Sequence, residues 1–203
     1  MAKTSIIVNE KDNTNIVING AMDYWQRGDS FNSMASGTYM ADRWVYNKSG
    51  AVVHNSSVSE LGTSDLTITR NLLLTVATAD ASLAAGDYAS LEQRIEGTIA
   101  KQLYGKNCVL SFWAATNVAG TYCVSLRNSA GNRSYVMEYT LSGVGGGNTF
   151  EKVTLRLPHV FSGTWLDDTN IGIRLSFCLH SGTTLQAPSA NTWHSAEYIA
   201  TAN

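Results

Sequence analysis

The sequence predicts an all-β fold, an antiparallel β-sandwich or jelly roll with an extended N-terminal arm and at most one short helix. Glycine is abundant and proline rare, with 17 glycines against 2 prolines in 203 residues, which is typical of short strands joined by polar turns. Apolar residues recur with period two along much of the chain, and turn clusters rather than long helical segments separate these runs. Strands that follow one another in this way favour an antiparallel sandwich over a parallel sheet.

A single domain is expected to account for almost the whole chain. Its 203 residues suffice for one sandwich with a sizeable core. Short extended segments at residues 5–8 and 15–18 flank a polar turn, so we predict an N-terminal arm over residues 1–20 and a single jelly-roll domain over residues 21–203. The apolar stretch at residues 6–8 is too short for a secretion signal, and no run approaches the roughly 20 apolar residues of a membrane span. Neither general secretion nor a membrane location is therefore expected.

Apolar and polar residues alternate along most of the predicted domain. This alternation places one set of side chains against the core and the other toward solvent. Residues 72–76 are instead almost continuously apolar, which predicts a strand buried on both faces. The predicted strands lie at residues 44–46, 51–53, 66–69, 72–76, 89–95, 109–115, 120–127, 134–141, 151–157 and 172–180.

Residues 89–103 contain two competing periodicities. Apolar side chains recur every four positions from Leu91 to Leu103, which is helical spacing, but residues 90–96 also alternate as a strand does. Gly97 interrupts the middle of the helical pattern. We therefore predict a strand at residues 89–95 followed by a short helix or turn over residues 98–103.

Charge and cysteine usage exclude two broad classes of site. Charged residues make up 15% of the chain and the net charge is -2, without any basic cluster, so we expect no nucleic-acid partner. Cys108, Cys123 and Cys178 are an odd number of thiols without close spacing, which predicts no metal site. Each lies in an apolar run, and buried free thiols are favoured over a disulfide.

The sequence contains no arrangement typical of catalysis. Asp167 and Asp168 could belong to a calcium or sugar-hydrolysis site, but adjacent carboxylates in a polar segment favour an ordinary turn. The glycines of residues 143–147 lack the strand–helix context and the lysine of a phosphate loop, so a hairpin loop is predicted. We expect no enzyme, no cofactor and no metal. Surface or turn positions are predicted for the four scattered histidines, His54, His159, His180 and His194.

Aromatic side chains remain as candidate binding groups. Trp165 and Trp193 lie in polar surroundings and are predicted to be an exposed pair on which sugar rings could stack. The alternative is that they belong to the core or to an interface, since each ring buries a large apolar area. Trp113, inside the apolar run LSFWA, is predicted to lie in the core.

Three short motifs near the N-terminus resemble a known family. NG at residues 19–20, WQRG at 25–28 and ADRW at 41–44 resemble a recurring signature of tailed-phage structural proteins, in which a segment like NLLINGxFxxWQRG is followed by YTADRW. The resemblance implies a jelly-roll module of a phage particle, assembled in the host cytoplasm and located on the virion. Its implied partners are phage capsid or tail proteins, copies of itself in a homotrimer, and host surface polysaccharide.

The signature residues themselves suggest a structural role. Arg27 and Arg43 each lie close to a tryptophan in sequence, Trp25 and Trp44 respectively, and Asp42 offers a carboxylate to a guanidinium. An arginine stacked on an indole and held by a buried carboxylate would be rigid. We therefore predict that these five residues fasten the N-terminal segment to the sandwich rather than bind a ligand.

Two functions fit the resemblance, and the first is favoured at this stage. The chain lacks the closing FxITGVQLExG strand of many family members and the repeats of a fibre shaft. A short protein that docks directly on the particle, a capsid decoration or cement protein on the head surface, is therefore the leading prediction. The alternative is a tail-tip receptor-binding module that recognises host surface polysaccharide. A carbohydrate-binding module of a cellular enzyme is a third, weaker fit.

Overall fold

The fold is known from a computed structural model, which describes residues 3–8, 14–60, 70–144 and 149–203. Predicted features at residues 66–69 and 145–147 lie outside these ranges. The strands are β1 Lys3–Val8, β2 Thr14–Asn15, β3 Ser30–Phe31, β4 Thr38–Tyr39, β5 Trp44–Ser49, β6 Val53–Glu60, β7 Arg70–Thr78, β8 Tyr88–Glu96, β9 Cys108–Ala114, β10 Gly120–Arg127, β11 Ser134–Leu141, β12 Glu151–Arg156, β13 Ile171–Ser181, β14 Gln186–Ala187, β15 Trp193–His194 and β16 Ala200–Thr201. The helical elements are α1 Gly97–Ala100 and the 3₁₀ turns Lys101–Leu103 and Thr183–Leu185.

Two antiparallel sheets form the sandwich. A seven-stranded sheet has the order β15-β11-β10-β13-β8-β5-β4, and a four-stranded sheet has the order β12-β9-β1-β2. Phe112 of β9 joins the two layers, because its ring meets those of Tyr139 and Phe177 edge-to-face, each with centroids 5.1 Å apart. A three-stranded sheet β3-β6-β7 and a parallel pair β14-β16 complete the described part. The predicted all-β antiparallel sandwich is confirmed.

Strand β9 shows how alternation in the sequence builds the core. Its even-numbered residues from Cys108 to Ala114 are buried, and the residues between them are half-buried. Leu110 and Phe112 therefore face the seven-stranded sheet, while Trp113 lies on the other face of the strand. The prediction that Trp113 is a core residue is wrong, because its odd position in the alternation outweighs the apolar character of its neighbours.

Part of the N-terminal segment is extended and belongs to a sheet, while residues 1–2 and 9–13, including the predicted polar turn, lie outside the described ranges. Residues Lys3–Val8 form β1, which pairs antiparallel with β9 over six residue pairs and with β2 on its other side. The backbone hydrogen-bonding groups of β1 are thus directed toward strands of the same chain.

The ambiguous segment resolves into a strand followed by a short helix, and this prediction is confirmed. Strand β8 spans Tyr88–Glu96, and α1 with the following 3₁₀ turn spans residues 97–103. The change occurs at Gly97, where a β-carbon would lie 2.3 Å from the carbonyl oxygen of Leu166. Glycine is therefore required for the loop that contains Leu166 to approach. No helix in the described ranges is long and apolar enough to cross a membrane.

Strand β7 differs from its prediction. Leu73 is 43% exposed and Val76 is 61% exposed, so this apolar run is not buried on both faces. The reason is its position, since β7 is the last strand of the three-stranded sheet and pairs only with β6 among the described strands. Leu72 alone of this run packs fully into the main core.

The outer face of the seven-stranded sheet is covered by the C-terminal segment, over a small second core. Cys123, Val136 and Cys178 project from the sheet and meet Ile199 and Ala200. The three cysteines of the chain, with Cys108 in the main core, are buried and free as predicted.

Beside this second core lies a buried ion-pair network. Glu92 of β8 is 1% exposed, and its Oε2 accepts hydrogen bonds from Arg127 Nη2 at 2.6 Å and from the Ser176 hydroxyl at 3.1 Å. Arg127 also pairs with Glu197 of the C-terminal segment, and Arg174 approaches the same carboxylate at 3.5 Å. The network therefore joins β8, β10 and β13 to the segment that covers them.

Removing one charge from the network should destabilise the fold strongly. Arg127→Met leaves the buried Glu92 with Arg94, 2.9 Å from its Oε1, as its one remaining ionic partner in the described part. Breaking a buried ion pair costs about 3–5 kcal/mol, and the Arg94 contact places the expected loss at the lower end of that range. The double variant Glu92→Met/Arg127→Met removes both charges, and we expect it to be less destabilised than the single variant. Urea unfolding followed by circular dichroism measures both. A double variant whose loss equals the sum of the two single losses would contradict the coupling.

Two histidines distant in sequence meet inside the fold. His54 of β6 is 5% exposed, its ring stacks on that of His180 with centroids 6.2 Å apart, and its Nδ1 is hydrogen-bonded to the Tyr46 hydroxyl at 2.7 Å. The predicted surface or turn position is therefore wrong for His54. Burial, with the nearby His180 and Lys48, lowers the pKa of His54 to about 4. Burial also lowers the pKa of His180, although Asp80 and Asp87 oppose the shift.

Stability should therefore fall in mild acid. The pKa of His54 is about 4 in the fold and about 6.5 in the unfolded chain, so acid favours the unfolded chain, which binds the proton more readily. The contribution of neutral His54 to the free energy of unfolding is therefore complete above pH 6.5 and is lost as the pH falls toward 4. Between pH 7 and 4.5 we expect this residue to account for a loss of about 2–3 kcal/mol. Urea titrations at both pH values should show that the free energy of unfolding falls less in the His54→Gln variant than in the unmodified protein. His159→Gln changes an exposed histidine and should fall as much as the unmodified protein. Equal falls in the two variants and the unmodified protein would show that His54 is not the cause.

Candidate functional site

The structure brings the two predicted stacking residues together at one end of the sandwich. Trp165, in the segment between β12 and β13, and Trp193 of β15 have ring centroids 5.3 Å apart. Phe161 contacts both rings, at 5.2 and 5.4 Å. Tyr104 packs on Phe161 at 4.8 Å, and Tyr135 on Trp193 at 5.0 Å. We call these five residues the aromatic cluster.

Both tryptophans are half-buried rather than exposed as predicted. Their indole N–H groups are also occupied, because Trp165 Nε1 donates to the Ser162 carbonyl at 2.9 Å and Trp193 Nε1 donates to the Val160 carbonyl at 2.8 Å. These two bonds fasten both rings to the same segment. The accessible parts of the rings therefore offer an apolar surface of fixed orientation, which suits stacking better than hydrogen bonding.

Two cavities flank this segment and share Gly163. The first, of about 330 Å³, is lined by Tyr104, Phe161 and Trp165 of the aromatic cluster. The second, of about 570 Å³, is lined mostly by residues with polar side chains, and we call it the polar cavity. Both volumes fall in the range of small-ligand sites. The polar cavity is lined by Asn128, Ser129, Ala130, Asn132, Arg133, Gly163, Thr164, Leu166 and Ser195.

Asn128 organises the wall of the polar cavity. It is 2% exposed, and its Oδ1 accepts hydrogen bonds from the backbone N–H groups of Asn132 and Arg133, both at 3.1 Å. Its Nδ2 donates to Asn132 Oδ1 at 2.7 Å and to the Thr164 carbonyl at 3.1 Å. All these bonds are internal to the protein, and they connect the loop of residues 128–133 with the segment that contains Thr164.

Arg133 is held in the wall of the polar cavity by two contacts. Its Nη1 donates to the Ser195 hydroxyl at 2.5 Å. The side chain passes directly over Gly163, where a β-carbon would lie 2.5 Å from Arg133 Nε. Gly163 also has a φ of +90°, which a residue with a side chain adopts at a cost. The glycine therefore creates the space in which the guanidinium lies.

The acidic and metal-ligating residues form no further site in the described part. No group of three histidine, cysteine or acidic side chains that could hold a metal lies within the described ranges. Asp168 is engaged in its own turn, as its carboxylate accepts from the Asn170 backbone at 2.9 Å and from the Asn170 side chain at 2.8 Å. These hydrogen bonds lower the pKa of Asp168. The polar turn favoured for this segment is thus what the structure contains.

The NG, WQRG and ADRW motifs meet around the side chain of Asn19. Asn19 Nδ2 donates to the carbonyls of Tyr24 and Asp42, at 3.0 and 3.1 Å, and its Oδ1 accepts from the backbone N–H groups of Asp23 and Tyr24. Its carbonyl accepts from Trp44 Nε1 at 3.0 Å. One side chain thus joins both halves of the signature.

Ile18 is held to the seven-stranded sheet from the other side. Its backbone N–H donates to Gln93 Oε1 at 2.9 Å, and its carbonyl accepts from Gln93 Nε2 at 2.7 Å. Gln93 belongs to β8 and is 1% exposed. The amide of Gln93 therefore mimics a neighbouring strand, a role that its position in an alternating run did not indicate.

The signature arginines make different contacts from those predicted. Arg27 forms a single contact with Asp42, at 3.2 Å, and lies over the ring of Tyr39 at 5.4 Å rather than over an indole. This pair is solvent-accessible, with the Arg27 side chain 55% exposed. Arg43, in a left-handed conformation with φ +73°, pairs instead with Glu96 at the end of β8, at 2.6 Å.

The signature tryptophans are buried at the same junction. Trp44 is fully buried in the main core, and Trp25 Nε1 donates to the Met22 carbonyl at 2.6 Å. Arg43 also lies near the candidate site. Its partner Glu96 is followed directly by Gly97, and Gly97 is in close contact with Leu166, which lines the polar cavity.

Asn19 should matter more to stability than Asp42. We expect Asn19→Ala to lower the free energy of unfolding by about 2–3 kcal/mol, since it removes a hub of hydrogen bonds and places alanine in a left-handed conformation. The melting temperature should fall by roughly 5 °C or more. Asp42→Asn breaks an exposed pair and should cost less than about 1 kcal/mol. Asn19→Gly can keep the left-handed backbone conformation, so its effect on the free energy of unfolding measures the loss of the side-chain hydrogen bonds. A larger loss of free energy of unfolding for Asp42→Asn than for Asn19→Ala would contradict this ranking.

Comparison with known proteins adds no relative to this description. No protein-family model matches the chain, and neither a curated protein nor a solved structure matches it. The chemistry of the aromatic cluster and the polar cavity therefore rests on their own residues alone.

Proposed function

We propose that the chain is a structural protein of a bacterial virus that binds carbohydrate through the aromatic cluster and the polar cavity. The convergence of Trp165 and Trp193 is the observation on which this rests, because their centroids lie 5.3 Å apart beside two open cavities. Sugars present flat apolar faces and many hydroxyl groups, so a site for them combines aromatic rings with hydrogen-bonding side chains. The virion location is supported by the NG, WQRG and ADRW motifs.

The site is suited to a ligand that lies along the surface. Trp165 and Trp193 are fixed by their indole N–H bonds, so stacking on them requires little further ordering. Asn132 and Ser195 line the neighbouring cavity and present amide and hydroxyl groups. Because the two cavities share Gly163, a chain of sugar units could contact both at once. This geometry favours recognition of host surface polysaccharide, the alternative raised by the sequence.

Attachment to the phage head, as a decoration or cement protein, is the second candidate. The observation that favours it is β7, whose exposed side chains Leu73 and Val76 lie on the last described strand of its sheet. Exposed apolar groups on such a strand suit contact with another protein surface. The two functions are compatible, since a head-bound protein could also bind glycans.

Carbohydrate binding should depend on the two tryptophans. We expect the purified protein to bind a subset of bacterial surface glycans on an array, and Trp165→Ala and Trp193→Ala each to weaken binding by about tenfold or more. Trp113→Ala is the matched control, because Trp113 is half-buried on the outer face of the other sheet. Thermal melts establish that each variant is folded. An array without hits, together with no adsorption to host cells, would contradict the proposal.

The location on the particle separates the two candidates. Cryo-electron microscopy of the purified virus should show the protein at the tail if it recognises the host receptor. Many copies on the head lattice would instead support decoration and would make glycan binding a secondary property. Absence of the protein from the particle would remove the virion proposal altogether.

A further inference from the structure

We infer that the polar cavity recognises a negatively charged group on the glycan, a carboxylate or a phosphate, and that Arg133 is the residue that binds it. This inference deepens the proposed carbohydrate function and rests on it. The chemical class is an acidic polysaccharide, such as one containing uronic acids or phosphodiester links.

Arg133 differs from the other arginines near the site in lacking an acidic partner. Arg127 and Arg174 both pair with Glu197. Arg133 forms no ion pair with any described residue, and its hydrogen bond to a side chain is the neutral one to Ser195. A guanidinium has five N–H donors arranged as a planar fork. Most of these donors are therefore available to a ligand.

The surroundings of Arg133 favour an anion over a neutral hydroxyl group. The described residues that line the polar cavity include no carboxylate and no cation other than Arg133. Glu197 reaches the same loop at Gly131, but two arginines already neutralise it. An oxyanion in the cavity would thus meet a positive charge without competition. Charge-assisted bidentate hydrogen bonds are about twice as strong as neutral ones.

The guanidinium is also held in place before any ligand arrives. Gly163 lies beneath its stem, and Ser195 fixes Nη1. Asn128 fixes the conformation of the loop before Arg133, because its side-chain oxygen accepts hydrogen bonds from the backbone N–H groups of Asn132 and Arg133. Because the site is ordered in advance, little entropy is lost when an anion binds. The shared Gly163 then places the charged sugar next to the Trp165 cavity, where a neighbouring sugar can stack.

The test compares matched acidic and neutral glycans on the full chain. The probes are array-printed uronate, sialate and glycerol-phosphate oligomers, with the methyl esters of the carboxylates and neutral oligomers of equal length. A galacturonate trimer and its methyl ester serve for titration calorimetry and for NMR of the arginine Nε–H resonances. Arg133→Gln and Arg133→Lys are compared with Arg156→Gln, which removes one charge at an exposed position on β12.

We expect an acidic probe to bind and its ester or neutral counterpart to bind at least about tenfold more weakly. Arg133→Gln should remove this preference, Arg133→Lys should restore only part of it because the fork is lost, and Arg156→Gln should leave it unchanged. The NMR resonance of the Arg133 Nε–H group should shift on titration with the galacturonate trimer and should shift less with its methyl ester. Preference for uronate over phosphate, or the reverse, identifies the source of the anion.

The outcomes separate this inference from the function on which it rests. The anion inference would be overturned if neutral glycans bound as tightly as acidic ones and Arg133→Gln left their binding unchanged. Carbohydrate binding itself would stand in that case, provided that it still depended on Trp165. Absence of binding to every glycan, acidic or neutral, would overturn both. Equal losses from Arg133→Gln and Arg156→Gln would indicate general charge attraction and would also overturn the assignment to Arg133.

Discussion

The buried pairing of Glu92 with Arg127 is the interaction on which the candidate site depends. It lies on the outer face of the seven-stranded sheet, a face that would meet solvent without the C-terminal segment. Charges removed from water must be paired, and Glu197 completes the pairing from that segment. Four residues before Glu197 is Trp193 and two before it is Ser195. The need to satisfy a buried arginine therefore also sets where Trp193 and Ser195 lie.

How far the fold follows from the sequence is clearest at β8 and β7. The strand and short helix across Gly97 could be predicted, because alternation and a glycine break are local signals. The exposure of β7 could not be, since an apolar run does not reveal whether a second strand or layer lies beside it. His54 and His180 show the same limit. Their contact arises from strands far apart in the chain, and no spacing in the sequence encodes it.

The candidate site was predictable only in its aromatic part. Trp165 and Trp193 could be selected because large apolar rings in polar segments are unusual, although their degree of burial could not. Arg133 carries no such mark in the sequence, because its lack of an acidic partner among the described residues becomes visible only in the fold. Asn19 and Gln93 are similar cases. Their side-chain amides form hydrogen bonds with backbone groups, as a neighbouring strand would, and in the sequence they look like any other polar residues.

The segment between β12 and β13 has a consequence for how such a protein can change over generations. It contributes Phe161, Gly163 and Trp165, yet it lies outside every strand ladder of the described sheets. Changes in this segment leave the strand register untouched, and those that keep Gly163 and the packing of Phe161 and Trp165 on the main core retain the fold. For the proposed carbohydrate site, variation within this one short loop would be enough to alter which glycan is recognised while the scaffold is retained.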